Sequence, residues 1–154
     1  MADAKIKILY VDDEMHNLIS FKATFRIKYD VITAISGEEA KKLLDTHDVH
    51  VIITDQRMPG MTGTEFLESI LDKHKDVMRI LLTGYADINA VIDAVNKGKI
   101  FHYLSKPWNE EELDATIQRA YKEYLKRAEE MEMNQKLTVS NDQLEFLLRQ
   151  KLLS

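Results

Sequence analysis

The chain has no cysteine, two prolines, five glycines and a single tryptophan in 154 residues. Without cysteine there are no disulfides and no thiol catalysis, a composition that fits the reducing cytoplasm. No apolar run approaches the ~20 residues needed to span a bilayer. The first residues, Met1-Ala2-Asp3-Ala4-Lys5, lead directly into an apolar segment, so no signal peptide is expected. A basic excess is also missing: the formal charge is −5 and the isoelectric point near 5.5, which argues against a generic polyanion-binding surface. No Gly-x-Gly-x-x-Gly follows the first apolar run, so there is no dinucleotide fingerprint. Beyond residue 125 stands no helix-turn-helix, zinc or nucleotide-cyclase motif. Neither nucleic acid nor membrane is therefore expected as a partner of this chain. Internal repeats and low-complexity tracts are absent too. What remains is a 45% hydrophobic chain, enough for one ordinary domain with a proper core, plus an extension.

The stretch from Val51 to Gly60 organises the rest. Val51-Ile52-Ile53-Thr54 has high strand propensity and runs straight into Asp55, and Met58-Pro59-Gly60 turns at once. A strand buried on both faces reads as such an unbroken apolar run, and Pro-Gly closes it. Asp55 thus stands at the carboxyl end of a central strand, the edge where open α/β sheets bind ligands. Taken alone, it could equally be a turn or capping aspartate. Three more runs end alike: Ile6 to Val11 in Asp12-Asp13, Met78 to Leu82 in Thr83-Gly84, and Ile100 to Leu104 in Ser105-Lys106-Pro107. Together these strands deliver three carboxylates, a hydroxyl and an ammonium to one edge.

Between the strands lie helical patterns. Glu14 to Lys28 carries Leu18, Phe21 and Phe25 at helical spacing. Val31 to Ile35 reads as a short strand. Ser36 with Glu39, and Thr62 with Glu65, have capping-box form; the second opens a helix with an inward stripe of Phe66, Leu67, Ile70 and Leu71. Asp87 suits the cap of a helix whose apolar side is Val91, Ile92 and Val95, ended by Asn96-Lys97-Gly98. Asn109 with Glu112 starts the last helix. Alternating strands and helices predict a doubly wound α/β fold, a five-stranded parallel (βα)5 sheet in flavodoxin-like order 2-1-3-4-5 with its last helix extended. His16, His47, His50, His74 and His102 share no metal-ligand spacing and read as surface or edge residues, with His102 able to face a partner. Met58 and Met61 read as loop packing, and Trp108 as a cover for the sheet edge.

In type, order and strand position, Asp12-Asp13, Asp55 before Met-Pro-Gly, Thr83-Gly84 and Lys106-Pro107 resemble the receiver domain of two-component response regulators. The resemblance covers roughly residues 5 to 125. It implies a Mg²⁺ site in which Asp13, Asp55 and the backbone carbonyl of Arg57 coordinate the ion, with Asp12 acting mostly through water. Asp55 would then be the phosphoacceptor, attacking a phosphoryl group carried by a sensor histidine kinase or a histidine phosphotransfer protein. Lys106 would contact the transferred group, Thr83 would hydrogen-bond it, and Tyr103 would follow Thr83 as the aromatic switch, though an amphipathic edge tyrosine would look the same. A cis peptide is implied between Lys106 and Pro107. Arg57 and Tyr85 line the approach of water in the family; both are large here, implying a long-lived phosphoryl group. Two other classes share parts of this site. A phosphatase forming an aspartyl-phosphate needs a general acid, often two residues past the nucleophile, where Arg57 cannot serve. The chain is therefore expected not to be an enzyme beyond slow self-dephosphorylation. A receiver-like interaction module acting without phosphorylation is the other alternative; it usually lacks one of the five site residues, and none is missing.

From Asn109 onward no proline or glycine appears, so nothing forces the last helix to stop. Leu113, Ile117, Ala120 or Tyr121, Tyr124, Ala128 and Met131 recur at three-four spacing, and members past about residue 122 have no domain surface left to cover. Gln135 and Thr138 interrupt the seam, Thr138-Val139-Ser140-Asn141 is its weak point, and Leu144, Leu147, Leu148, Leu152 and Leu153 resume it. The expected organisation is a receiver over 1–122 and a helical or coiled-coil extension over 123–154. The alternative for the tail is a frayed solitary helix. Pairing in a parallel homodimer would use the extension together with the face formed by the fourth helix, fifth strand and fifth helix.

Overall fold

Five apolar segments form one parallel sheet in a computed structural model that describes residues 5–97 and 99–153, without the side chains at 85, 139, 140 and 153. The strands are β1 (Lys7–Val11), β2 (Asp30–Ala34), β3 (Val51–Asp55), β4 (Met78–Thr83) and β5 (His102–Ser105), in the order β2-β1-β3-β4-β5. Connecting them are α1 (Met15–Phe25), α2 (Gly37–Thr46), α3 (Gly63–Ser69) and α4 (Ile88–Asn96), and α5 runs from Glu110 to Leu153. This is the doubly wound, flavodoxin-like arrangement that alternating apolar periods predict.

Strand periodicity divides the core in two. Ile8 and Tyr10 of β1 point to the side of α1 and α5, where they meet Phe21, Phe25, Leu113, Ile117 and Ala120. Leu9 and Val11 point to the opposite face, among Ala40, Leu44, Phe66, Leu67 and Val91. Tyr10 stacks on Phe21 with centroids 4.1 Å apart. Trp108 covers this helical layer rather than a bare sheet edge, with its ring against Phe21 and Phe25.

Ser36 and Thr62 cap α2 and α3, accepting from the amides of Glu39 and Glu65. Helix α3 closes at Ser69, so Ile70 completes its buried stripe from the C-cap and Leu71 is only half-buried. Asp87 departs from expectation. It precedes α4 without capping it through its side chain, because its carboxylate pairs with Arg57 at 2.9 Å. Val91 and Ala94 carry the buried face of α4, while Ile92 stays exposed. Gly98 lies outside the described residues.

Asn109 Oδ1 accepts from the amides of Glu111 and Glu112 and so starts α5. Asp114 then anchors the helix across the domain, pairing with Lys28 at 2.7 Å and accepting from the Tyr29 hydroxyl. Leu113, Ile117 and Ala120 are fully buried, Tyr121 and Tyr124 half-buried, and the residues of 125–138 and 141–152 are exposed. No described helix is long and apolar enough to cross a membrane.

Candidate functional site

The carboxyl ends of β1 and β3 bring Asp12, Asp13 and Asp55 together, each offering a carboxylate oxygen within 4.8 Å of the others. The parallel pairing of β1 with β3 sets Val11 beside Thr54, so the residues that follow each strand converge. Asp12 is fully buried and already engaged. Its oxygens accept from the Glu14 amide at 3.0 Å, the Tyr10 hydroxyl at 3.1 Å and Asn17 Nδ2 at 3.2 Å. Asp13 is more open. Asp55 is 5% exposed, and its Oδ1 is in ion-pair contact with Lys106 Nζ.

Burial pushes the Asp55 carboxyl above the ordinary carboxylate range; Lys106 pulls it back and the charge of Asp12 adds to the rise. A group of three oxygen donors with one titration raised by burial and like charge fits a hard cation of the Mg²⁺ kind.

Lys106 reaches Asp55 because its backbone amide donates to the Thr83 carbonyl at 2.9 Å, laying the β5–α5 loop over the end of β4. The Lys106–Pro107 peptide is cis, as the resemblance implies. Thr83 is fully buried, its hydroxyl donating to the Gly84 carbonyl at 3.2 Å. Asp55 pairs in register with Leu82, the residue before Thr83. Tyr103 pairs with Leu81, so it lies on the same sheet face as Thr83, half-buried against the second core cluster. Arg57 extends across the mouth to Asp87 and is largely exposed. The side chain of Tyr85 lies outside the described residues.

Sequence reasoning missed Gln56. Its side chain accepts from the Thr64 amide at 2.9 Å and donates to the Thr64 hydroxyl, and its carbonyl accepts from Gly63. These bonds clamp the start of α3 beside the end of β3. Nothing in the local pattern marks a glutamine for this role, since its partners Gly63 and Thr64 lie seven and eight residues on. His50 was missed as well. It is half-buried, and its Nδ1 accepts from the Lys7 amide at 3.0 Å, so it is no plain surface residue.

A doubly wound parallel sheet with an acidic cluster and an opposed lysine at its carboxyl edge defines the signal-receiver class of α/β proteins. The chain belongs to the response regulator receiver domain family, which residues 8–118 match. It is 38% identical over 120 residues to the hydrogenase transcriptional regulatory protein HoxA of Cupriavidus necator, covering 78% of this chain and 25% of that protein. It is 36% identical over 89 residues to the DNA-binding transcriptional regulator NtrC of Klebsiella pneumoniae, covering 58% of this chain and 19% of that protein. This chain thus spans about a quarter or less of these relatives' length. Among solved structures it is similar to the adenylate cyclase from Rhodopirellula baltica, with a TM-score of 0.83 and 32% identity over 86% of this chain and 98% of that one. A response regulator receiver domain protein from Clostridium thermocellum gives a TM-score of 0.72 at 32% identity, covering 77% of this chain and 95% of that one.

Proposed function

We propose that this chain accepts a phosphoryl group on Asp55 from a phosphohistidine of a sensor kinase or phosphotransfer protein, and relays the event through α5. The observation that carries this reading is the ion pair of Asp55 with Lys106 inside the three-carboxylate cluster. An Asp55 oxygen attacks phosphorus as the bond to the donor imidazole breaks, forming an aspartyl-phosphate. The reaction needs alignment and charge neutralisation more than proton transfer. Asp13, Asp55 and the Arg57 carbonyl would hold Mg²⁺, with Asp12 behind them through water. Bound there, the ion supplies positive charge against the clustered carboxylates and the incoming phosphoryl oxygens. Lys106 leaves its contact with the free carboxylate for the transferred group. Thr83 turns its hydroxyl from the Gly84 carbonyl to a phosphate oxygen, and Tyr103 moves on the same face.

The test is intact-mass analysis after incubation with acetyl phosphate. One phosphoryl group gained only with Mg²⁺ is the expected result. Continuous consumption of acetyl phosphate would mark a phosphatase, and no response to it or to beryllofluoride would mark a non-phosphorylated interaction module. Asp13→Ala should lose Mg²⁺ affinity by tenfold or more, in line with ~1.4 kcal/mol of lost coordination, and still fold. Metal-induced quenching of Trp108 fluorescence, titrated for both proteins, measures it; equal affinities contradict the assignment of Asp13.

The division we infer is a receiver over 1–122 and a signalling extension over 123–154. Exposed Met131, Leu144, Leu147, Leu148 and Leu152 support parallel pairing of two extensions, since burying each such side chain is worth about 1.5–3 kcal/mol. Exposed Ile92 on α4 and half-buried His102 and Tyr103 on β5 continue that surface onto the body. Light scattering of the full chain should report a dimer at micromolar concentration, and a version ending at Arg119 should be monomeric. A monomeric full chain, with and without beryllofluoride, rules pairing out.

A further inference from the structure

The edge of the sheet opposite Asp55 carries a second organised cluster. His50 enters β3 with its amide donating to the Lys7 carbonyl at 3.0 Å and its carbonyl accepting from the Met78 amide at 2.9 Å. Its imidazole Nδ1 accepts from the Lys7 amide at 3.0 Å. That bond requires an unprotonated Nδ1, hence the neutral Nε2–H tautomer. The ring meets Tyr121 and Tyr124 edge-on, with centroids 5.2 and 5.0 Å away and both planes at 71°. The two tyrosines stack on each other at 6.1 Å. They are the last aromatic side chains of α5 to touch the body, since Phe146, further along, is exposed. A cavity of ≈ 440 Å³ opens beside His50 and Tyr124 and gives water access to this seat.

We propose that neutral His50 is a proton-sensitive pin that fixes the direction in which α5 leaves the receiver body. A proton on Nδ1 removes the acceptor of the Lys7 amide and places a cation beside the Lys7 ammonium, so the seat of Tyr121 and Tyr124 loosens. The charged groups facing the ring come from three sides. Lys7 on β1 opposes the imidazolium and Asp48, in the loop before β3, favours it. Asp76, in the loop before β4, faces the Tyr124 hydroxyl on α5. Further out, Lys73, Lys75, His47 and His74 line the cavity. Burial first, then Lys7, holds the imidazole below the ordinary histidine range. A depressed histidine contributes docking that is complete above its unfolded value of about 6.5 and is lost as pH falls through its folded value. Proton control of the output rests on the reading of α5 as the signalling element; the pin itself does not.

The experiment is two-dimensional NMR on the full chain between pH 8 and pH 5, following the His50 ring nitrogens, the Lys7 amide and amides 121–126. Protection factors corrected for intrinsic exchange are taken at each pH. The Lys7 amide and segment 121–126 should lose protection together with the His50 midpoint, roughly fivefold for one hydrogen bond. His47→Gln and His74→Gln should leave that midpoint in place, and His50→Gln should abolish the transition. Lys7 and α5 signals that do not titrate in the unmodified chain, or that titrate with His47 or His74, overturn the proposal. Asp55→Asn should give the same curve, so failure of the phosphoacceptor reading leaves a separate signature.

Discussion

Asp55→Asn should gain no phosphoryl group from acetyl phosphate in the presence of Mg²⁺, while remaining folded. The amide oxygen is a poor nucleophile, and loss of the charge weakens any cation site built on Asp12 and Asp13. The same substitution should stabilise the metal-free protein at pH 7. The sign follows from the raised Asp55 carboxyl. Its folded value lies above its unfolded one, so ionisation costs the fold stability. That cost is absent below the unfolded value near 3.9, grows as pH rises through the folded value, and is constant above it. Loss of the Lys106 partner offsets part of the gain, but Lys106 is a third exposed and keeps water. Urea unfolding at pH 7 and pH 4 measures both arms: the variant's advantage should shrink on acidification. A variant phosphorylated as readily as the unmodified chain would remove Asp55 from the acceptor role.

Strand ends were legible in the sequence because a doubly buried strand leaves an unbroken apolar run whose last residue is conspicuous when polar. Asp12, Asp13, Asp55 and Lys106 each follow such a run, and they meet. Which face of the sheet each residue of β1 serves was not legible, because a strand buried on both sides shows no alternation. Nor was Gln56, since its value depends on Thr64 and Gly63 being folded back beside it. Asp87 misled because a helix-capping aspartate and an ion-paired one carry the same local signal; the reach of Arg57 from another loop decides between them. His50 was invisible for a related reason. Its three partners, Lys7, Tyr121 and Tyr124, are 43 to 74 positions away, and no periodicity connects them. The extension lies between these cases: the point where α5 loses the body could be read from its apolar spacing, whereas the tilt of the helix there depends on the distant His50 seat.

Gly63→Ala should destabilise the protein by about 2–4 kcal/mol and slow phosphoryl uptake with it. A Cβ at this position would stand 2.3 Å from the Asp55 carbonyl oxygen and 2.7 Å from Leu81 Cδ1. Leu81 is fully buried in a close-packed interior, so its retreat would disturb its neighbours. The carbonyl belongs to the acceptor residue itself, so relief requires α3 to back away from β3. That movement stretches the Gly63 amide to Gln56 carbonyl bond of 2.9 Å and the Gln56 clamp on Thr64. Stability and acceptor geometry are therefore coupled at one methyl group. Gly84→Ala is the control, because its Cβ would meet nothing within 4 Å although it follows Thr83 directly. Gly60→Ala is a second: its cost of about 1–2 kcal/mol comes from a φ of +80° and not from a clash. Urea denaturation of the three variants, with acetyl phosphate uptake measured under folding conditions, distinguishes these causes. If Gly63→Ala matched Gly84→Ala in both stability and uptake, the close approach of α3 to the Asp55 carbonyl would not be what holds the acceptor in place.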